Sequence, residues 1–375
     1  MRDLVAWYGE HYVPPESPPP KKPEREPQEP EKKPPPKQAF AHAIVIGRFD
    51  PLHRGHQMLI DTARSLARTT TIVVNTAAGR VSGATRLAWC RELADAVALA
   101  APPAPGGPQE LAFWQHWAAA VRPLVPAADV LVSSDREAWR LADVIGVAFV
   151  LVDPDRLALP ITASEIRRDP RAAWDLLAPP ARAHYATRVT LLGPEGSGKS
   201  TLARALADAL STVWVPEQAR VVADRRRGEP VPEQADVVAN RRRGELRVCD
   251  LERCADVQRG LEDALARQAN RVLVCDTDAR SLELWAERLF GSAPAGLLER
   301  AAACRPDLYV LAEPLPMDGA DQAARIAFAR RCREVVAASG VPWIVAGGTV
   351  DQRVSAVLKV LARAAALQRP PAPPA

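Results

Sequence analysis

No stretch of 18 or more consecutive apolar residues occurs in the chain, so the sequence offers no candidate membrane-spanning helix. Its first residues lack the charged-then-apolar order of a secretory leader. The six cysteines (Cys90, Cys249, Cys254, Cys275, Cys304 and Cys332) show neither a C-x-x-C nor a His-paired spacing, which leaves no zinc signature. A reduced, cytoplasmic enzyme is the expectation. A net charge of +4 is small for 375 residues, so no general role on polyanions follows, and neither nucleic acid nor membrane is an expected partner. An oligomer is left open. The apolar and charged fractions, 47% and 25%, are those of an ordinary globular protein with room for about two domains.

What is present centres on Arg188-Val-Thr-Leu-Leu-Gly-Pro-Glu-Gly-Ser-Gly-Lys-Ser-Thr201. It reads as an apolar strand, a glycine-rich turn and a helix with Leu202, Leu206 and Leu210 on one face. Gly193, Gly198, Lys199 and Ser200 fall on the G-x-x-x-x-G-K-[ST] spacing of a P-loop. Gly193, Gly196 and Gly198 allow the backbone to curl until its N–H groups face a triphosphate. Glu195, Ser197 and Thr201 complete the loop, Lys199 reaches the outer phosphates, and the Ser200 hydroxyl suits Mg²⁺. ATP is the expected ligand. Such a loop follows the first strand of its own domain, so residues before about 188 belong to something else.

That earlier part opens with a buried strand, Ala43-Ile-Val-Ile-Gly47, followed by Arg48-Phe-Asp-Pro-Leu-His-Arg-Gly-His56 and a helical pattern. His53 and His56 bracket Gly55 where the helix begins, a compact donor site for a phosphoryl group; spacing alone also allows a metal pair or a capping arrangement. Near the end of the unit stands Pro160-Ile-Thr-Ala-Ser-Glu-Ile-Arg-Arg168. This reads as a helix start with Ser164 as N-cap and the Arg167 guanidinium one turn in, shaped for β/γ phosphates with Thr162. Strands are expected at 71–75, 129–133 and 147–152, alternating with helices, which gives an α/β doubly wound parallel sheet. Trp89, like the other tryptophans of this unit, reads on its own as core or groove packing.

After the P-loop, strands at 212–216, 271–276, 307–311 and 341–346 complete a second, five-stranded parallel sheet. Glu217 and Asp276 end their strands, where an open parallel sheet gathers its ligand groups. Asp276 is the candidate partner of Ser200 for Mg²⁺, and Asp278 is either its companion or a loop acid. The stretch 216–229 recurs almost unchanged at 232–245, read as a local duplication. Residues 1–39, with eleven prolines between Pro14 and Pro36, cannot build a core and are expected to form a disordered tail, as are residues 369–375. The expected domains are 40–185 and 186–368.

The string around His53 and His56 resembles the H-x-G-H signature of the nucleotidyltransferase superfamily, with Gly47, Phe49 and Asp50 in its usual approach. The box at 160–168 is similar to that superfamily's I-S-x-T-x-I-R, with Thr162 and Ser164 in the two hydroxyl positions. A nucleotidyltransferase followed by a P-loop kinase resembles the bifunctional nicotinamide-nucleotide adenylyltransferase/ribosylnicotinamide kinase (NadR-type) family. The resemblance covers about residues 43–360. It includes Glu217 and Arg220 in a Pro-Glu-Gln-Ala-Arg box, Gln258 after Asp250-Leu-Glu, and Cys-Asp-Thr-Asp278. Two places depart from the family pattern: Gly196 stands where a Ser is usual, and Leu315-Pro-Met-Asp-Gly-Ala-Asp lacks the family's arginine.

The resemblance implies two reactions, both using ATP and Mg²⁺. The phosphate of nicotinamide mononucleotide would attack the α-phosphorus of ATP, with His53 and His56 on the transferring group and Arg167 on the leaving pyrophosphate. The hydroxyl of nicotinamide riboside would attack the γ-phosphate, with Lys199, Ser200 and Asp276 managing charge, Glu217 as base, and Arg220 and Asp278 among the substrate contacts; in the first unit, Trp89 stands where related enzymes often place a base-stacking aromatic. The alternatives are a fusion acting on another nucleotide precursor, or an NAD- or ATP-sensing regulator with one silent site.

Overall fold

Strand β1 (Phe40–Gly47) is buried through Ala43, Ile44 and Val45 because both faces of a central parallel strand are covered by helices. The computed structural model describes residues 38–100, 104–160, 162–219, 248–316 and 321–367. After β1 come α1 (Arg54–Leu66), β2 (Ala67–Asn75), α2 (Gly83–Arg91) and β3 (Asp95–Leu99). Then follow α3 (Leu111–Val121), β4 (Val130–Ser133), α4 (Trp139–Ile145), β5 (Ala148–Leu151), α5 (Ala163–Arg168) and α6 (Pro179–Tyr185). All pairings are parallel, in the order β3-β2-β1-β4-β5. The winding reverses between β1 and β4, which opens a crevice at the carboxyl ends of those strands.

The second sheet begins at β6 (Thr187–Leu192), followed by α7 (Lys199–Ala209), β7 (Trp214–Val215), α8 (Val248–Ala266) and β8 (Val272–Asp276). Next are α9 (Ala279–Phe290), α10 (Ala295–Ala303), β9 (Leu308–Ala312), α11 (Gln322–Ala338), β10 (Trp343–Ala346) and α12 (Val350–Leu367). This sheet is also five-stranded and parallel, in the order β10-β9-β6-β8-β7. β6 lies between β8 and β9, so the loop after it emerges at the crevice. The chain is thus two doubly wound α/β sheets, as the sequence pattern indicates.

The two sheets are not packed as separate bodies. One apolar cluster runs from Val45, Ile72 and Val74 of the first, through Trp174, Leu177 and Ala178, to Val215, Ala266 and Leu273 of the second. Trp174 is 1% exposed, and its Nε1 donates to the Ala269 carbonyl at 3.0 Å, so the buried indole keeps a polar partner. Arg271 Nε donates to the Arg171 carbonyl at 2.9 Å, and Arg267 pairs bidentately with Glu92. The described residues from Ala39 onward lie in one compact unit.

Two local expectations are corrected. β3 was not read from Asp-Ala-Val-Ala-Leu, whose two alanines dilute the apolar run. The N-cap of α5 is Thr162, not Ser164: Thr162 Oγ1 accepts from Glu165 N–H, and the Glu165 carboxylate accepts from Thr162 N–H at 2.8 Å. That reciprocal capping box needs a glutamate three residues on, which only Thr162 has. The tail expectations for 1–37 and 368–375, Arg220 and nearly all of the tandem repeat lie outside the described residues. Among the described residues, no helix is long and apolar enough to cross a membrane.

Candidate functional site

At the carboxyl end of β1 the chain passes Gly47 and turns at Phe49, whose φ of 52° is unusual for a residue with a side chain. A Cβ on Gly47 would stand 3.1 Å from the Phe49 ring, so glycine lets that ring fold back and become buried. Asp50 is buried as well. Its carboxylate accepts from the N–H groups of Arg80 (3.0 Å) and Val81 (3.3 Å), and its carbonyl accepts from Arg167 Nη1 at 2.6 Å. Asp50 therefore fixes the approach to the histidines and brings Arg167, from the far box, to the same place.

His53 is the N-cap of α1. Its Nδ1 accepts from Gly55 N–H (3.1 Å) and His56 N–H (3.4 Å), while His56 Nδ1 accepts from His53 N–H (3.4 Å). The rings stack with centroids 3.7 Å apart, and Phe49 meets His56 edge-on at 5.0 Å. Burial, reinforced by Arg156 and Arg167, lowers the His53 pKa from 6.5 to about 4; burial, His53 and the same arginines hold His56 well below its ordinary value. Both rings are neutral at pH 7. With each Nδ1 accepting a backbone N–H, the single ring proton resides on Nε2. Spacing had left metal, cap and phosphoryl donor open. The geometry is a cap that presents two Nε2–H donors.

Thr162 and Ser164 share a hydrogen bond at 2.9 Å at the start of α5, and Arg80 donates to the Arg167 carbonyl. Trp89 does not offer a stacking surface. It is 5% exposed, packed in the shared core and edge-on to His184, so the core-packing alternative describes it. The residue that organises this edge is Arg86, fully buried, which sequence reading passed over. It donates to the carbonyls of Val81, Arg48, Asn75 and Ala77 and so ties together the loops after β1 and β2.

At the second sheet, Gly193, Gly196 and Gly198 all have positive φ (150°, 63° and 79°), and a Cβ on Gly193 would stand 2.7 Å from the Ala312 carbonyl oxygen. The loop carbonyls are taken up by side chains. Lys199 Nζ donates to Gly193 O and Pro194 O at 2.9 and 2.8 Å, and Ser197 Oγ to Pro194 O at 2.8 Å. Arg325 donates to Glu195 O at 3.1 and 2.9 Å, and Arg353 to Ser197 O at 2.7 Å. The Glu195 carboxylate is gripped bidentately by Arg288. Gly198 precedes α7, Thr201 is exposed in its first turn, and Ser200 Oγ donates to Asp276 Oδ2 at 2.5 Å.

Around them, Glu217 follows β7 and is half-buried. Gln258 anchors that segment, accepting from Gln218 N–H and donating to the Thr277 carbonyl, both at 3.2 Å. Asp278 is engaged internally. One oxygen caps α9 through Arg280 N–H and Ser281 N–H, and the other accepts from Tyr309 Oη at 2.9 Å. Neither alternative for Asp278, Mg²⁺ companion or loop acid, describes that position. Glu262 of α8 is 6% exposed, and burial plus the Asp278 charge raise its pKa from 4.5 to about 7. No spacing rule marked Glu262, Tyr309, Arg325 or Arg353.

The AAA domain family matches residues 188–353. The "Trifunctional NAD biosynthesis/regulator protein NadR" of Escherichia coli (strain K12) is 23% identical over 299 residues, 74% of this chain and 70% of that protein. Two solved structures share the fold. One is NadR protein in complex with NR (TM-score 0.63, 19% identity, 87% of this chain and 97% of the other). The other is NadR protein in complex with NAD and AMP-PNP (TM-score 0.62, 21% identity, 86% and 97%). Fold and loops define a P-loop α/β protein fused to a second doubly wound sheet. Within that class the chain is homologous to the NadR proteins.

Proposed function

We propose that the chain is a bifunctional enzyme of NAD biosynthesis: it phosphorylates nicotinamide riboside with ATP at the P-loop and adenylylates nicotinamide mononucleotide with ATP at the His53/His56 edge. The observation that carries this reading is the presence of two phosphate-shaped loops on two sheets of one chain homologous to NadR. The printed ligands of the fold relatives, NR, NAD and AMP-PNP, are those such a pair of reactions would use.

At the first site the mononucleotide phosphate attacks the α-phosphorus of ATP and the bond to the bridging oxygen of pyrophosphate breaks. The Nε2–H groups of His53 and His56 donate to the transferring phosphoryl oxygens, and neutral rings are suited to this because they need no proton uptake. Arg167 stabilises the departing pyrophosphate. At the second site Lys199 exchanges its loop carbonyls for the outer phosphates, and Glu217 accepts the proton of the riboside hydroxyl.

Ser200 Oγ and Asp276 Oδ2, already 2.5 Å apart, are the hard oxygen donors that Mg²⁺ prefers, so these two residues would hold it. When bound, the ion supplies charge neutralisation on the β- and γ-phosphates. The reading is tested by separation of the reactions in folded variants. His56→Ala abolishes NAD formation from the mononucleotide and leaves ADP formation from the riboside; Lys199→Ala does the reverse. Loss of both reactions in either variant overturns the two-site assignment.

A further inference from the structure

We propose that Gln258 is a positioning residue of the kinase site, whose buried amide sets Glu217 and Asp276 at their working separation. This rests on the kinase reading above and adds to it a residue that acts through two others.

β7 and β8 run side by side, and their last paired residues are Val215 and Cys275. Asp276 stands one position beyond that pair and Glu217 two, so the ladder ends just where the functional carboxylates begin. Gln258 of α8 takes over from it. Its Oε1 accepts from Gln218 N–H and its Nε2 donates to the Thr277 carbonyl, each at 3.2 Å, and the residue is 2% exposed. One side-chain amide thus stands in for a peptide unit between two strand ends. A backbone N–H only donates and a backbone carbonyl only accepts, so these partners fix which end of the amide is which. They also flank the functional residues: Gln218 follows Glu217, and Thr277 follows Asp276.

The Thr277 side needs such a hold. Its φ of 82° lies in the left-handed region, where a β-branched residue is a rare outlier. Residues two apart on a strand share a face, but the turn at Thr277 parts its two neighbours. Asp276 meets Ser200 Oγ at 2.5 Å beside the P-loop, whereas Asp278 caps α9 and accepts from Tyr309 Oη at 2.9 Å. Backbone of this kind persists only where its surroundings impose it, and it clusters at functional sites. On the other side, Gln218 Nε2 donates to the Pro216 carbonyl at 3.3 Å, closing the chain around Glu217. Ala219 packs with Leu251, Cys254 and Ala255 of the same helix α8. That helix therefore supports the end of β7, and Gln258 links it onward to the end of β8. Without the amide the two ends can part, and a displacement of about 1 Å in a reacting group can cost ~10²-fold in rate.

The experiment uses the full chain. Gln258→Met, which keeps the length and removes both hydrogen bonds, is expected to lose ~10²-fold in kcat for riboside phosphorylation, with KM for ATP within about threefold of the parent. Combined with Glu217→Gln, the loss is expected to fall at least about tenfold short of the product of the two single losses. The gain in AMP-PNP affinity on adding Mg²⁺, measured by calorimetry, is expected to shrink at least about fivefold, because Asp276 is no longer held at Ser200. NAD formation from the mononucleotide is expected to stay near the parent rate in the same sample. An unchanged kcat, losses that multiply, an undiminished Mg²⁺ gain, or an equal fall in both reactions each overturn the proposal. If Gln258→Met does not fold, Gln258→Asn replaces it with the same expectations, its amide being one methylene too short to bridge both partners. If the parent phosphorylates no riboside, the reaction assignment falls, and the Mg²⁺ gain then decides on Gln258 separately.

Discussion

Arg353 Nη1 donates to the carbonyl of Ser197 at 2.7 Å across 156 positions of sequence, tying the first turn of the last helix to the P-loop. Arg325, from the helix before it, does the same for Glu195. A loop that must point its N–H groups at an anion has to send its carbonyls the other way, and those carbonyls need partners once buried. The two arginines, 1% and 3% exposed, supply them.

Arg353→Met strands the carbonyls of Ser197, Gly348 and Glu313, each of which Arg353 contacts. The expected cost is about 2–4 kcal/mol of stability, with KM for ATP in the kinase reaction raised at least about tenfold. NAD formation from the mononucleotide is expected to stay near the parent rate. Thermal unfolding and the two initial-rate assays check this; an unchanged kinase KM would show that the loop holds its shape without Arg353.

His53 gives the protein a one-sided sensitivity to acid. Its folded pKa of about 4 lies below the ordinary 6.5, so between those values the unfolded chain binds more protons. Stability is complete above pH 6.5, falls as pH drops from 6.5 toward 4, and loses on the order of 3 kcal/mol over that window. His56 acts in the same direction. His53→Asn is expected to flatten the melting temperature between pH 7 and pH 5; a parent profile already flat there would contradict the buried, neutral pair.

Glu262 works with the opposite sign. Its pKa of about 7 lies above 4.5, so the folded chain holds the extra proton, and stability is lost as pH rises from 4.5 through 7. Glu262→Gln keeps the shape and removes the charge. It is expected to stabilise the protein at pH 8 by on the order of 1–3 kcal/mol and to change little at pH 5. Denaturant unfolding at the two pH values is the measurement, and equal effects at both would disprove the raised pKa.

The P-loop was legible in the sequence because its shape depends on backbone conformation, and backbone conformation is written in glycines at fixed spacing. Gly193, Gly196 and Gly198 are an example. So were the strands that lead to them, since a parallel strand covered on both faces is continuously apolar. The supports behind the loops were not legible. Arg86, Arg325 and Arg353 sit inside helical patterns where an arginine ordinarily marks the solvated face. Only the fold shows that they turn inward to carbonyls. Trp89 and Asp278 were misplaced for a related reason: burial and capping depend on partners, His184 and Tyr309, that lie 95 and 31 positions away. Thr162 could have been found, because a glutamate three residues on is a local signal.

The apolar cluster that runs through Trp174 has a consequence for how such a chain can be divided. A cut near residue 186 would leave Trp174, Leu177 and Ala178 uncovered on one fragment and Val215, Ala266 and Leu273 on the other. Each fragment would carry a sticky face where the intact chain has interior. Two separate chains divided at this point would have to restore the seam as a subunit interface.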